Sequence, residues 1–71
     1  MRWTSDRLDQ LENAARRGLK VALRRRGTEY VVVALRLGTE HRRDALIARL
    51  PMTGEELVFV LEDLESFQVI P

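Results

Sequence analysis

One stretch, Glu29–Leu37, constrains the fold of this chain more than any other. It reads Glu-Tyr-Val-Val-Val-Ala-Leu-Arg-Leu, and its consecutive valines, Val31–Val33, have few allowed χ1 rotamers and suit a pleated sheet better than a helix. Because the stretch is apolar at both odd and even positions, it is buried on both faces or bent so that each half buries a different face. The sequence therefore predicts the central, curved strand of a small barrel.

The length and composition limit what such a barrel can contain. A chain of 71 residues is expected to form one domain, residues 1–71, which buries only about 60% of its unfolded surface. It has no cysteine and one histidine, which excludes a disulfide, a thiolate–metal site and a histidine-rich zinc site. We expect no metal, cofactor or catalytic site. Stability must come from the apolar residues, 45% of the chain, or from self-association.

Charge is unevenly distributed along the chain, although the net charge of +1 argues against a strongly electrostatic nucleic-acid binder. Residues 1–36 hold nine Arg or Lys and four acids, and residues 37–71 hold three Arg and seven acids. This polarity can serve a basic binding face, pairing between strands or head-to-tail assembly. No apolar run approaches the ~20 residues of a membrane span, and Met1–Asp6 lacks a signal-peptide core, so we expect a soluble, cytoplasmic protein without a membrane partner.

A helix is predicted over residues 4–17. Thr4 or Ser5 can cap it by accepting a free backbone N–H, and Trp3 would then pack on Leu8 in a hydrophobic staple. Gly18 stands where a left-handed residue would end the helix. A helix this short is unstable alone in water, so we expect it to cover an open end of the sheet.

Four more segments are predicted to be strands, because apolar and polar residues alternate or because turn residues flank them. They are Leu19–Arg25, Asp44–Leu50, Leu57–Leu61 and Ser66–Ile70. The segment Asp44–Leu50 is ambiguous, since Thr39 could equally cap a helix from Glu40 to Leu50, but the flanking turns favour a strand. A polar loop is expected at Gly38–Arg43 and one tight helical turn at Glu62–Glu65. Five short antiparallel strands over residues 19–70 suit a closed or nearly closed small β-barrel.

This order of an N-terminal helix, a basic strand, a hairpin and an acidic turn between strands resembles the Sm-like barrel. Over residues 8–71 the chain is most similar to the WYL domain of bacterial regulators. The best-matching parts are Leu19–Arg25, Tyr30–Leu35 and Phe59–Phe67. The resemblance implies a mainly β fold, a five-stranded Sm-like barrel with an N-terminal α-helix.

The residues that carry function in the WYL family are not present here. Asp44-Ala45-Leu46 stands where the family has Trp-Tyr-Leu, and Leu57 and Asp63 stand where it has ligand-contacting arginines. The second RNA-binding motif of the Sm family is also absent. The resemblance therefore implies the fold without transferring a ligand site.

The densest group of basic residues surrounds the predicted first strand. If it contacts phosphates, binding would be independent of sequence and sensitive to salt. The alternative is a solvated face that Glu62, Asp63 and Glu65 partly neutralise, if the last strand lies beside the first. The candidate nucleic-acid-binding residues are Arg17, Lys20, Arg24, Arg25 and Arg26.

Other conspicuous side chains have structural interpretations. Tyr30 is expected to be half-buried with its hydroxyl in water, and Phe59 and Phe67 to be core residues. No cysteine or serine stands at a spacing from His41 that would indicate a catalytic pair, so His41 is expected on the surface. The function predicted is a non-enzymatic regulatory or adaptor module that forms homo-oligomers through strand edges. The second hypothesis is a nucleic-acid-binding Sm-like protein that uses the arginine group.

Overall fold

The computed structural model describes all residues, Met1–Pro71, as one helix packed on one sheet. The elements are α1 (Ser5–Arg17), β1 (Lys20–Arg25), β2 (Thr28–Glu40), β3 (Arg43–Arg49), β4 (Glu56–Val60), a 3₁₀ turn (Leu61–Asp63) and β5 (Leu64–Ile70). All five strands pair antiparallel in the order β4-β3-β2-β1-β5, so β2 is the central strand, as predicted. The edge strands β4 and β5 are not paired with each other. The sheet is therefore not closed, and the predicted barrel is not confirmed.

β2 changes the face that it buries partway along its length. A β-bulge lies between Ala34 and Arg36 in the ladder with β3, which leaves Leu35 as the extra residue. Before the bulge Val32 and Ala34 are fully buried, and after it Leu37 packs against the same core. The stretch is apolar at both odd and even positions, and the bulge allows each half to turn its apolar side chains toward the same core.

The polar loop predicted at Gly38–Arg43 is wrong, because β2 and β3 continue to a two-residue turn at His41 and Arg42. Both turn residues have positive φ, 50° and 66°, as the tight turns of twisted hairpins require. Sequence reasoning missed the turn because such positions usually hold Asn, Asp or Gly. The strand predicted for Asp44–Leu50 is confirmed, and the helical alternative is wrong.

Local hydrogen bonds fix both ends of α1. The Thr4 hydroxyl accepts from the backbone N–H of Arg7 at 3.2 Å, which satisfies one free donor of the first turn. Gly18 adopts a left-handed φ of 63°, and Leu19 N–H donates to the Ala14 carbonyl at 2.9 Å, as expected for a glycine C-cap. The helix packs mainly on β2, rather than only across an open end of the sheet.

The buried side chains of α1 and the sheet form one apolar core. Phe59 is the largest fully buried side chain, which confirms its predicted core position, whereas Phe67 is half-buried at the margin. No polar or charged side chain is buried. The core consists of Leu11, Ala14, Ala15, Val21, Leu23, Val32, Ala34, Leu46, Ala48, Phe59, Leu61 and Leu64. The structure contains no helix with the length and apolar content that crossing a membrane requires.

Candidate binding surfaces

The predicted basic group is divided between the two ends of β1. Four residue steps of ~3.3 Å separate Lys20 from Arg24 along the strand. Arg17, at the end of α1, and Lys20 lie at the first end, whereas Arg24–Arg26 lie at the second. The structure therefore does not bring the five candidate residues together into one patch.

Arg24 is paired with a carboxylate that sequence reasoning did not connect with it. Its Nη2 atom lies 3.1 Å from Oε1 of Glu29, which is directly opposite on β2. The pair is largely exposed and worth about 0–1 kcal/mol, but it places a negative charge beside the arginine. Glu62, Asp63 and Glu65 were expected to neutralise the basic group, but none of them forms a salt bridge with it, although β5 does lie beside β1. The pairing could have been predicted from a two-residue β1–β2 turn, because such a turn places residue 29 directly opposite residue 24.

The acids of the 3₁₀ turn and β5 have other partners. Glu62 lies 3.5 Å from the guanidinium of Arg43, at the start of β3. Glu65 accepts the backbone N–H of Gly27 at 2.9 Å and so ties the β1–β2 turn to β5. Glu65 therefore holds a turn in place instead of balancing a basic side chain.

Arg25 is half-buried and folds over two aromatic rings. Its guanidinium carbon lies 5.3 Å from the centre of the Tyr30 ring and 4.8 Å from that of Phe59, within the range of cation–π attraction. Its Nη2 atom also donates to the Tyr30 hydroxyl at 3.3 Å, so that hydroxyl is not left to water as expected. Arg25 is thus engaged in packing.

Trp3 joins the N-terminal segment to the far end of the chain. Its ring stacks on Phe67 of β5, with centroids 5.3 Å apart and planes 9° from parallel. Its indole N–H donates to the carbonyl of Leu61 at 2.8 Å. Sequence reasoning placed Trp3 on Leu8, with which it lines a small cavity, and missed both long-range contacts. Nothing in the local sequence signals a contact across 58 residues.

The acidic side chains and His41 are dispersed over the surface. No group of three or more His, Cys, Asp or Glu side chains lies in a position to hold a metal ion. His41 is exposed in its turn, with Nε2 at 3.2 Å from Oε1 of Glu40. The candidate surfaces are therefore the strand edges and the remaining exposed basic residues.

The outer edge of β4 presents unpaired backbone groups. Leu50 N–H donates to the Glu55 carbonyl, so this pair is hydrogen-bonded, and bonded and non-bonded pairs alternate from there along the antiparallel ladder. By this alternation Glu56, Val58 and Val60 direct their N–H and C=O groups away from β3, and of these only the Val60 carbonyl has a partner, as the first acceptor of the 3₁₀ turn. The edge carries no Pro or Lys, and Val58 is 40% exposed. Apart from its short length and the charge of Glu56 at its start, β4 lacks the usual features that protect an edge strand.

The edge strand β5 differs because the N-terminal segment packs beside its first residues. Met1, Arg2 and Arg7 line one shallow cavity together with Ser66, on the exposed face of β5, and Phe67, on its inner face. The stacking of Trp3 on Phe67 holds the segment there. A segment packed beside the start of an edge strand hinders the addition of a further strand there.

Comparisons with protein-family models, with curated proteins and with solved structures found no match.

Proposed function

We propose that this chain is a non-enzymatic binding module that self-associates through a strand edge and acts as a small regulatory or adaptor protein. The observation that carries the proposal is the outer edge of β4. It combines free backbone groups with apolar side chains on both faces of the sheet, Leu57 and Phe59 on one and Val58 and Val60 on the other. Such an edge adds a further strand readily, because main-chain hydrogen bonds and apolar burial act together.

The proposal includes kinship with the Sm-like barrels, nearest to the WYL domain. The support is the combination of an N-terminal helix, a basic first strand, a tight hairpin and an acidic 3₁₀ turn between the last two strands. The curvature of the sheet adds to it, because Tyr30 of β2 meets Phe59 of β4 edge to face at a centroid distance of 5.2 Å.

The proposal predicts an average mass in solution above the 8.2 kDa of one chain, rising with concentration. Sedimentation equilibrium measures it. Val58→Lys places a charge on the exposed edge and should weaken association at least ~10-fold. Val31→Lys is the matched control, because Val31 is 47% exposed on the central strand β2, away from both edges. A wild-type mass of 8.2 kDa at every concentration would remove the proposal.

A second candidate function is nucleic-acid binding, favoured by one observation. Arg17, Lys20 and Arg26 are exposed and form no salt bridge, so their charges are available to a phosphate. The remaining candidates, Arg24 and Arg25, are engaged with Glu29 and the aromatic rings. This leaves three of the five candidate residues, in two places.

For this candidate, wild-type protein should bind single-stranded RNA or duplex DNA at ~50 mM salt, with affinity falling as salt rises. Replacing Arg17, Lys20 and Arg26 together by serine should abolish binding. The matched control is Arg24→Ser, which removes an arginine already paired with Glu29 and should change affinity little. Fluorescence anisotropy with labelled oligonucleotides measures both, and no wild-type binding at low salt would eliminate the candidate.

A further inference from the structure

We infer that the partner at the β4 edge is β4 of a second copy of this chain, paired antiparallel about a two-fold axis with Val58 at the centre. The inference rests on the proposed function and specifies its partner and register. It follows from the direction of the backbone groups, the side chains on the two faces of β4 and the difference between the two sheet edges.

The backbone groups of β4 are complementary to themselves in this register. Glu56, Val58 and Val60 direct their N–H and C=O groups outward, with Val58 midway between the other two. Antiparallel pairing places Val58 opposite Val58 of the second copy and each Glu56 opposite Val60 of the other copy. Both Val58 residues then exchange N–H···O=C bonds, and each Val60 N–H meets the Glu56 C=O of the other copy. The Val60 carbonyl already accepts the first bond of the 3₁₀ turn.

The side chains fit the same arrangement. Val58 lies beside Ile47 on one face of the β3–β4 ladder, so pairing makes an apolar row of Ile47 and Val58 followed by the same residues of the second copy. The 40% of Val58 that is exposed in the single chain becomes covered. Glu56 lies opposite Arg49 of β3, so its charge has a neighbour of opposite sign within its own chain.

The two edges differ in how freely a further strand can approach them. In a head-to-tail assembly β4 of one copy would meet β5 of the next, and the N-terminal segment packs beside residues 65–67 at the start of β5. The pairing residues of β4, Glu56, Val58 and Val60, line neither cavity beside that segment, and a self-complementary edge closes after two copies.

The experiment uses a chain that has no cysteine, so one substitution supplies the only thiol. In the Val58→Cys variant, the two thiols of a pair face each other across hydrogen-bonded residues whose Cα atoms are about 5.5 Å apart, a distance a disulfide spans. Mild oxidation should give a covalent dimer at least ~10-fold faster than in Val31→Cys, whose thiol is equally exposed but lies away from the edge. Non-reducing electrophoresis measures the rates.

A second variant does not depend on disulfide chemistry. Val58→Pro removes an outward N–H, which an edge strand tolerates, and leaves the ladder to β3 intact. Because the central pair would lose both of its hydrogen bonds, dimerisation should weaken about 30-fold, with an unchanged far-UV circular dichroism spectrum. A Val58→Pro variant that dimerises like wild type overturns the inference.

The outcomes separate this inference from the proposed function. If wild type self-associates but Val58→Cys does not cross-link faster than Val31→Cys, the register is wrong and the proposed function stands. A wild-type assembly larger than two chains also overturns the inference, because it requires a second edge. If wild type stays a single chain at all concentrations, both fail.

Discussion

Replacing Phe59 with alanine is expected to remove most of the stability of the fold. Phe59 is fully buried, meets the Tyr30 ring at 5.2 Å and lies under the guanidinium of Arg25 at 4.8 Å. Truncating such a ring costs about 3–5 kcal/mol, against about 4–10 kcal/mol for an average domain of this size. Thermal unfolding followed by circular dichroism should show a melting temperature about 15–30 °C lower.

The matched control is Phe59→Leu, which keeps most of the buried volume. It loses the edge-to-face contact with Tyr30 and the cation–π contact with Arg25, and it should cost roughly 1–2 kcal/mol. If Phe59→Ala melted within a few degrees of wild type, the core would not depend on this ring. The packing of Arg25 over Phe59 would then have no energetic importance.

Replacing Trp3 with alanine is expected to have the second largest effect, although the residue is only half-buried. The change removes the stack on Phe67, the hydrogen bond to the Leu61 carbonyl and the apolar contact of the indole with the core. Together these contributions amount to about 2–4 kcal/mol. Urea denaturation followed by far-UV circular dichroism measures the loss, because Trp3 is the only tryptophan and its fluorescence disappears with it.

A second variant separates the two contacts of Trp3. Trp3→Phe keeps an aromatic ring for the stack on Phe67 but cannot donate to Leu61, so it should cost only about 1 kcal/mol. Equal losses for Trp3→Ala and Trp3→Phe would mean that the hydrogen bond alone fixes the N-terminal segment. No loss in either variant would mean that the segment does not stabilise the fold.

The sequence predicts the elements of this fold well where the signal is local. The valine-rich stretch, the alternation in β1 and β4, and Gly18 after α1 each indicate the structure found, because propensity, pattern and capping agree there. The turn at His41 and Arg42 was missed because neither residue is of the type that favours positive φ. In that turn, the pairing of β2 with β3 outweighs the local preference of the two residues.

The candidate surfaces were predictable only in part. Any open sheet has two exposed edge strands. Lys20 and Arg24 lie on the same face of β1 because they are four residues apart in a strand. The pairing of Arg24 with Glu29 and the packing of the N-terminal segment beside the start of β5 depend on tertiary contacts. No periodic pattern in the sequence indicates whether the N-terminal segment will pack beside β4 or β5.

The strand order has a consequence for the chain during its synthesis. β1 is completed early, but one of its two neighbours, β5, is synthesised after the other four strands. Until then a nascent chain exposes the outer side of β1 as well as β4, and Trp3 has neither Phe67 nor Leu61 to bind. Contacts of such long range slow folding, so the growing chain is most prone to aggregate just before its last strand arrives.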